Sequence, residues 1–298
     1  MVERFSTLLA ERAAIEIAGE DRAAFLQGLV SNDVTKVAAD RAVYAALLTA
    51  QGKYLHDFFI AAIGDALYLD AEAARLADLM RRLSLYKLRA KVTLADRRDA
   101  LIVAAAFGAE ALAALGLPPE PGQAVAFGGG IAYVDPRLAA LGARLLLPRA
   151  AGLAPLAAAG FAGADPDAYD RLRLSLGVPD GSRDLPVEKA ILLEAGFDEL
   201  NGVDWQKGCY VGQELTARTK YRALIKKRLL PVSLEGPLPP PGTPVMLGAE
   251  EAGELRSGRD GMALALLRLE MLEQAAAGTP LMAGATRVKP QKPDWARF

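Results

Sequence analysis

One cysteine and one histidine in 298 residues remove much of the usual site chemistry. A single thiol makes no internal disulfide. The pair falls short of the three or four soft ligands of a zinc site, so no metal site is expected. It is also too few for an iron–sulfur cluster held within one chain. Any Ser/His/Asp triad has to run through His56. A surplus of one charge is missing too: the net charge of −1 gives the molecule no strong pull on nucleic acid or an anionic membrane. The longest uncharged run, Ala150 to Ala164, has 15 residues and contains Pro155. That is short of the ~20 that span a bilayer. The opening segment carries Glu3, Glu11 and Glu16 among its apolar residues, unlike a secretory signal or a basic transit peptide. These absences predict a cytoplasmic protein in a reducing compartment, with no membrane and no direct nucleic-acid partner.

What is present fits a globular chain, with 52% hydrophobic and 24% charged residues. Gly/Pro-rich stretches at 117–130, 177–186 and 236–244 mark loops or boundaries. In the first half, Asp21 is placed to cap a helix through Phe25 and Leu29. Val43–Thr49 and Tyr54–Ala61 read as strands joined near Gln51–Gly52, and Leu67–Asp70 as a third. Residues 71–83 place Leu76, Leu79, Met80 and Leu83 on one helical face, and 91–95 and 101–106 are again strand-like. Strands in pairs separated by helices predict an α+β fold. After Arg228 the chain breaks into RLLPVSL, TPVML, GELRSG, GMALALLRL, TPLMA and TRVKP. Short apolar segments at that spacing predict a small β-barrel or sandwich of about 70 residues. The domains are therefore drawn at 1–228 and 229–298.

The most unusual segment is Lys207–Glu214, K-G-C-Y-V-G-Q-E, which holds the only cysteine. If it is extended, Lys207, Cys209 and Val211 share a face, and a lysine two residues away favours the thiolate form. Gly208 and Gly212 leave room for a ligand or another backbone, and Tyr210 offers a ring for stacking. The alternative is a buried structural cysteine. In AILLEAGFDELNGVDW an apolar run delivers Glu194. Its two oxygens suit the paired N–H donors of a pteridine edge, unless it is simply a solvated glutamate at a helix end. RTKYRALIKKR (218–228) holds six basic side chains, Arg218 among them. They attract an anionic ligand, a polyglutamate tail or RNA, or merely line a solvated edge. In YLHDFFI, His56 and Asp57 point to opposite faces of a strand, which leaves Asp57 as a ligand-facing carboxylate and His56 as structural.

K-G-C-Y-V-G-Q-E resembles the signature of the YgfZ family of folate-binding proteins linked to iron–sulfur cluster maintenance. FLQGLVSNDVTKV, YAALLTAQGKYLHDFFI, LYKLRAKVTLAD, DPRLAALGARLLLP, YDRLRLSLGVP and GELRSGRDGMALALLRLE resemble further family segments, over about residues 14 to 290. That family is related to the T-protein, the aminomethyltransferase of the glycine cleavage system. The resemblance implies three lobes in a ring around a folate site, the third being the C-terminal barrel. It implies tetrahydrofolate or a derivative as cofactor, and iron–sulfur client enzymes as partners, tRNA-thiolating radical enzymes among them.

The resemblance also assigns roles. Cys209, poised by Lys207, is the functional thiol. Asp57 falls where T-proteins carry the aspartate that acts at the folate nitrogen, although the preceding aspartate of their L-D-D is His56 here. Glu194 and Arg173 resemble T-protein folate-site residues, and Tyr210 and Arg218 complete the candidate set. The glutamate that holds the pteridine in a T-protein G-x-E segment is replaced, in Gly142–Ala143–Arg144, by Arg144. A guanidinium cannot accept N–H bonds. This moves the expectation from aminomethyl transfer through Asp57, the alternative activity, toward assembly or repair of clusters on client enzymes.

Overall fold

The computed structural model describes residues 4–222 and 225–298. Glu3 of the opening segment, and Ala223 and Leu224 of the basic stretch, lie outside the described residues. The chain forms two compact units. The first takes the described residues up to Leu48, with Leu55–Tyr169 and Leu200–Val211. The second takes Thr49–Tyr54, Asp170–Glu199 and Gly212–Phe298.

In the first unit the strands are β1 (Phe5–Leu8), β2 (Arg12–Ala18), β3 (Val43–Leu48), β4 (Tyr54–Ile63), β5 (Ala66–Glu72), β6 (Thr93–Asp96), β7 (Leu101–Phe107), β8 (Ala124–Phe127), β9 (Gly130–Val134), β10 (Ala143–Pro148) and β11 (Ala162–Gly163). They form a five-stranded sheet in the order β3-β4-β5-β2-β6 and a six-stranded sheet in the order β11-β1-β7-β10-β9-β8. All of β3 and the first eight residues of β4 are buried, which explains the unbroken apolar run of β3; β4 carries His56 and Asp57 within its buried stretch. Helix α1 (Arg22–Gln27) starts where Asp21 predicts, but the Asp21 side chain does not cap it. Its Oδ2 accepts the Lys91 amide instead, at 2.8 Å. Helix α2 (Leu76–Lys87) begins later than 71 because a 3-10 turn occupies Ala73–Arg75. Its inward stripe is Leu76, Leu79 and Leu83, all fully buried.

The second unit is built on a closed barrel in the order β12-β15-β14-β13-β16-β17. Its strands are β12 (Lys227–Glu235), β13 (Pro244–Leu247), β14 (Glu250–Arg259), β15 (Met262–Arg268), β16 (Leu281–Ala283) and β17 (Thr286–Pro290). The six apolar segments noted after Arg228 are these six strands. Leu230, Val232 and Leu234 alternate into the barrel core with Val245, Leu255, Ala263 and Ala265. The β14–β15 hairpin turns on Asp260-Gly261, both at positive φ, the backbone twist that a two-residue hairpin requires. A helix at Leu269–Ala276, not foreseen in the sequence, packs Met271 on the barrel. No helix of the described residues is long and apolar enough to cross a membrane.

His56 shows how the first unit treats its one imidazole. It is buried on β4, with Nε2 2.9 Å from Asp78 of α2. Asp78 is already held by Arg81 and Arg82. Burial therefore outweighs the Asp78 carboxylate and pushes His56 down to about 4. The unfolded ring titrates near 6.5. The ring is thus neutral in the folded chain, and its stability contribution is complete above pH 6.5. It is lost as pH falls from 6.5 through 4. Urea denaturation at both pH values should show the wild type losing about 3 kcal/mol more than His56→Gln; equal losses would contradict a neutral buried ring.

Candidate functional site

The K-G-C-Y segment is a loop of the first unit and not a strand. Alternation of faces therefore does not apply to it. Gly208 sits at φ +90, a left-handed backbone that turns the chain between Lys207 and Cys209. Cys209 is exposed. The buried alternative for this thiol is thereby excluded.

The loop is seated on residues 27–36 by a series of polar contacts. Asn32 Nδ2 donates to the Asn201 carbonyl at 2.7 Å and to the Tyr44 carbonyl at 2.7 Å. Ser31 Oγ donates to the Gly202 carbonyl at 2.6 Å, and the Asp204 amide donates to the Ser31 carbonyl at 3.0 Å. Lys36 pairs with Asp204. Lys207 completes the series: its Nζ donates to the carbonyls of Gln27 at 2.5 Å and Val30 at 2.6 Å, and lies 4.9 Å from the Tyr210 ring centroid. These carbonyls close the C-terminal end of α1, where cations are favoured. Gln27 itself is held by Asp33 and by the Val34 amide. Burial pushes Lys207 down to about 8, against Asp33 and Asp204, which favour its charge. Lys207 thus acts on the geometry of the Cys209 loop, and Tyr210 is buried beneath it.

Asp57 and Arg144 belong to one buried cluster around Phe59 in the same unit. Tyr44 donates its hydroxyl to Asp57 Oδ2 at 2.8 Å. Arg144 donates from Nε and Nη2 to Asp70 Oδ2 at 2.8 and 2.6 Å, and its Cζ lies 4.0 Å from the Phe59 centroid. Arg12 binds Asp70 Oδ1 at 2.7 Å. Asp70 is fully buried and Arg144 nearly so. The Asp70 carboxyl is held below its usual range by Arg12 and Arg144 in spite of burial. Arg144 lies on β10 and Asp70 on β5, so the pair joins the two sheets of the unit. Both candidate folate residues are engaged within this core.

The second unit holds the other candidates. Glu194 lies in the 3-10 turn Leu192–Ala195, anchored by the buried Leu192, Leu193 and Ala195. It lines a pocket of about 280 Å³ with Lys189, Lys227, Glu254 and Arg256. Burial raises its pKa against the pull of Lys227, Lys53, Arg228 and Arg256. Its carboxylate makes no hydrogen bond or ion pair among the described residues. Arg173 stands behind the pocket, with Nε on Asp170 at 2.7 Å, Nη1 on Asp184 at 2.8 Å and Nη2 on Ser257 at 2.7 Å. All three nitrogens bind within the unit, so Arg173 braces its fold. Arg218 is exposed and pairs with Glu214 one helical turn away at 3.3 Å.

For a pteridine, then, the residues divide. Arg144 offers no acceptor, and Asp57 already receives a hydroxyl. Glu194 fits, since two unpartnered carboxylate oxygens in a pocket match adjacent N–H donors. Sequence reasoning missed Gln27, Ser31, Asn32 and Asp204, which seat the thiol loop, and Lys189 and Arg256, which surround Glu194. The polar island S-N-D inside LVSNDV was the one available signal, a turn whose side chains serve backbone groups.

Residues 9–117 match the GCVT N-terminal domain family, and residues 226–298 match the family described as CAF17, C-terminal beta-barrel domain. The chain is 35% identical to the iron–sulfur cluster assembly factor IBA57, mitochondrial, of Mus musculus, over 88% of this chain and 77% of that protein. The Homo sapiens protein of the same name is 34% identical over the same shares. Among solved structures, the glycine cleavage system aminomethyltransferase T from Bartonella henselae superposes with a TM-score of 0.77 at 15% identity, covering 99% of this chain and 87% of that one. The fold is therefore that of the aminomethyltransferase, mixed α/β with a closed six-strand C-terminal barrel. The mouse, human and Neurospora crassa relatives are all named mitochondrial. Those names overturn the cytoplasmic expectation, which rested on composition and on an opening segment unlike a transit peptide.

Two outcomes follow from the geometry. Lys207→Met should speed hydrogen exchange of the Asp204–Tyr210 amides at least tenfold, a local loss of about 1.4 kcal/mol, with little change in the barrel amides. Unchanged exchange would contradict the seating role. Arg144→Glu, which restores the T-protein residue type, should destabilise the chain by about 3–5 kcal/mol in denaturant titration, because it leaves two carboxylates facing each other in the core.

Proposed function

The chain belongs to the family of the iron–sulfur cluster assembly factors named IBA57, and from that premise we propose that it assists cluster assembly on client proteins by presenting Cys209 as a thiol ligand. One observation carries this reading: the only thiol of the chain is exposed on a loop that side chains of the same unit hold in place. A thiolate binds iron, and a two-iron cluster needs four ligands. Among the described residues no group of three His, Cys, Asp or Glu side chains is placed to hold a metal ion. The cluster is therefore cargo, held mainly by the partner and touched by Cys209 from one side. YgfZ proteins are a related family, and the resemblance of K-G-C-Y-V-G-Q-E to their signature supports the same thiol role.

We further propose that the chain binds tetrahydrofolate or a derivative, with Glu194 gripping the amino-pyrimidine edge of the pteridine. Support comes from the unpartnered, half-buried carboxylate and from the cations that share its pocket. Lys189, Lys227 and Arg256 would meet anionic parts of the ligand. Folate, when bound, supplies one-carbon chemistry; the residues named here bind and orient it.

In cells lacking the endogenous factor, Cys209→Ser should lower iron–sulfur client activity severalfold while its melting temperature stays within about 2 °C of wild type. Full complementation by this variant would defeat the thiol role. Glu194→Gln should weaken tetrahydrofolate binding in calorimetry by about 10- to 100-fold, the loss of a charged hydrogen-bond acceptor, and undiminished affinity would remove Glu194 from the site.

A further inference from the structure

Helix α2 ends in a way that neither packing nor backbone preference explains. Its buried stripe stops at Leu83. Beyond it, Leu85 is 66% exposed, Tyr86 45% and Leu88 89%. The described residues hold seven exposed large hydrophobics, and three of them fall in these four positions; Leu8, Tyr221, Leu238 and Phe298 are scattered. Scattered exposed leucines need no explanation, but a cluster does. Leu88 is also strained. It closes the helix at φ 41, ψ −109, where helices ordinarily place Gly or Asn. A left-handed φ is costly for a residue with a Cβ, and this leucine buries nothing in return. Strain held at an exposed apolar side chain is a mark of use.

The charges at the patch that have no ion-pair partner among the described residues are both positive. Arg81 and Arg82 share the Asp78 carboxylate, and Lys91 pairs with Glu20. Lys87 and Arg89 make no ion pair or side-chain hydrogen bond among the described residues. The sequence Leu85-Tyr86-Lys87-Leu88-Arg89 is therefore an apolar knob with two unpaired cations.

We propose that this end of α2 is a docking surface for a partner protein that presents an apolar pocket bordered by carboxylates, and that the partner is the iron–sulfur protein whose cluster Cys209 touches. Naming that partner rests on the function proposed above; the surface itself rests on exposure, strain and charge. A protein fits better than a membrane. Interfacial anchors are long amphipathic helices with a broad apolar face, whereas this patch is five residues long on a chain of net charge −1. Charge complementarity at such a rim speeds encounter and rejects wrong partners.

The test uses the full chain with the photo-crosslinking residue p-benzoylphenylalanine at position 85, irradiated in cells. The expected product is a crosslink to an iron–sulfur protein, identified by mass spectrometry, at a peptide carrying Asp or Glu beside apolar residues. Its yield should fall about tenfold in the double variant Lys87→Glu, Arg89→Glu and persist in Cys209→Ser. Leu88→Gly should raise Tm by about 2 °C by removing the strain while lowering the same crosslink. Crosslinks only between two copies of the chain would overturn the proposal, as would yield no greater than from position 238. So would indifference to the charge reversals, or a Leu88→Gly variant of lower Tm with undiminished crosslink. Flotation of the purified chain with phosphatidylglycerol–phosphatidylcholine vesicles, without a protein crosslink, would assign the patch to membranes instead and overturn it. A crosslink that persists while Cys209→Ser fully complements would keep the docking surface and reject only the thiol role.

Discussion

Lys207 gives its ammonium to the carbonyls of Gln27 and Val30, and the position of the only thiol depends on that contact. A half-buried ammonium without acceptors is costly, so the loop cannot leave its seat without stranding the charge. Asn32 and Ser31 fix the upstream end of the same loop through the carbonyls of Asn201 and Gly202. Between Lys207 and the buried Tyr210, Gly208 and Cys209 are left exposed, and the positive φ of Gly208 turns the chain there. Rigid backbone with one exposed soft ligand is what transfer chemistry needs, because a ligand that is already placed loses little freedom when it binds.

The interior of the first unit shows how this chain fills an aminomethyltransferase-like fold. Where the T-protein pattern has a pteridine-holding glutamate, Arg144 now reaches across to Asp70 and packs on Phe59. Asp70 answers two arginines from two sheets. Such a buried set resists piecemeal change, since removing one member strands another. Asp57 is likewise engaged by Tyr44. Asp57, Asp70 and Arg144 thus serve as connections of its core. Among the candidate folate residues, the carboxylate without a hydrogen-bond partner, Glu194, lies in the other unit.

Legibility in the sequence followed the range of the contacts. The barrel strands stood out because Gly and Pro punctuate the turns and half of the neighbouring strand pairs are consecutive in sequence. The strands Val43–Leu48 and Tyr54–Ile63 were plain for the same local reason. The place of β2 between β5 and β6 was not, since it depends on pairing Ile15 with Leu69 and Asp96. The Cys209 segment was visible as a motif, but an extended reading of it failed on one left-handed glycine. Its seat lies some 170 residues earlier, in Gln27–Asn32, and nothing in either stretch names the other. Arg144 presented itself as a ligand residue because Asp70, its true partner, is 74 positions away. Asp21 failed as a cap because Lys91 competes for it.

The central claim is that Cys209 supplies a thiolate to iron in a cluster carried mainly by a partner. The direct measurement replaces the thiol sulfur: Cys209→selenocysteine in the full chain, mixed with a cluster-loaded iron–sulfur client protein and examined by X-ray absorption at the selenium edge. The account predicts an iron shell around the selenium that appears only with the loaded client. Selenium with carbon neighbours alone, in a complex that forms and keeps its cluster, would contradict it.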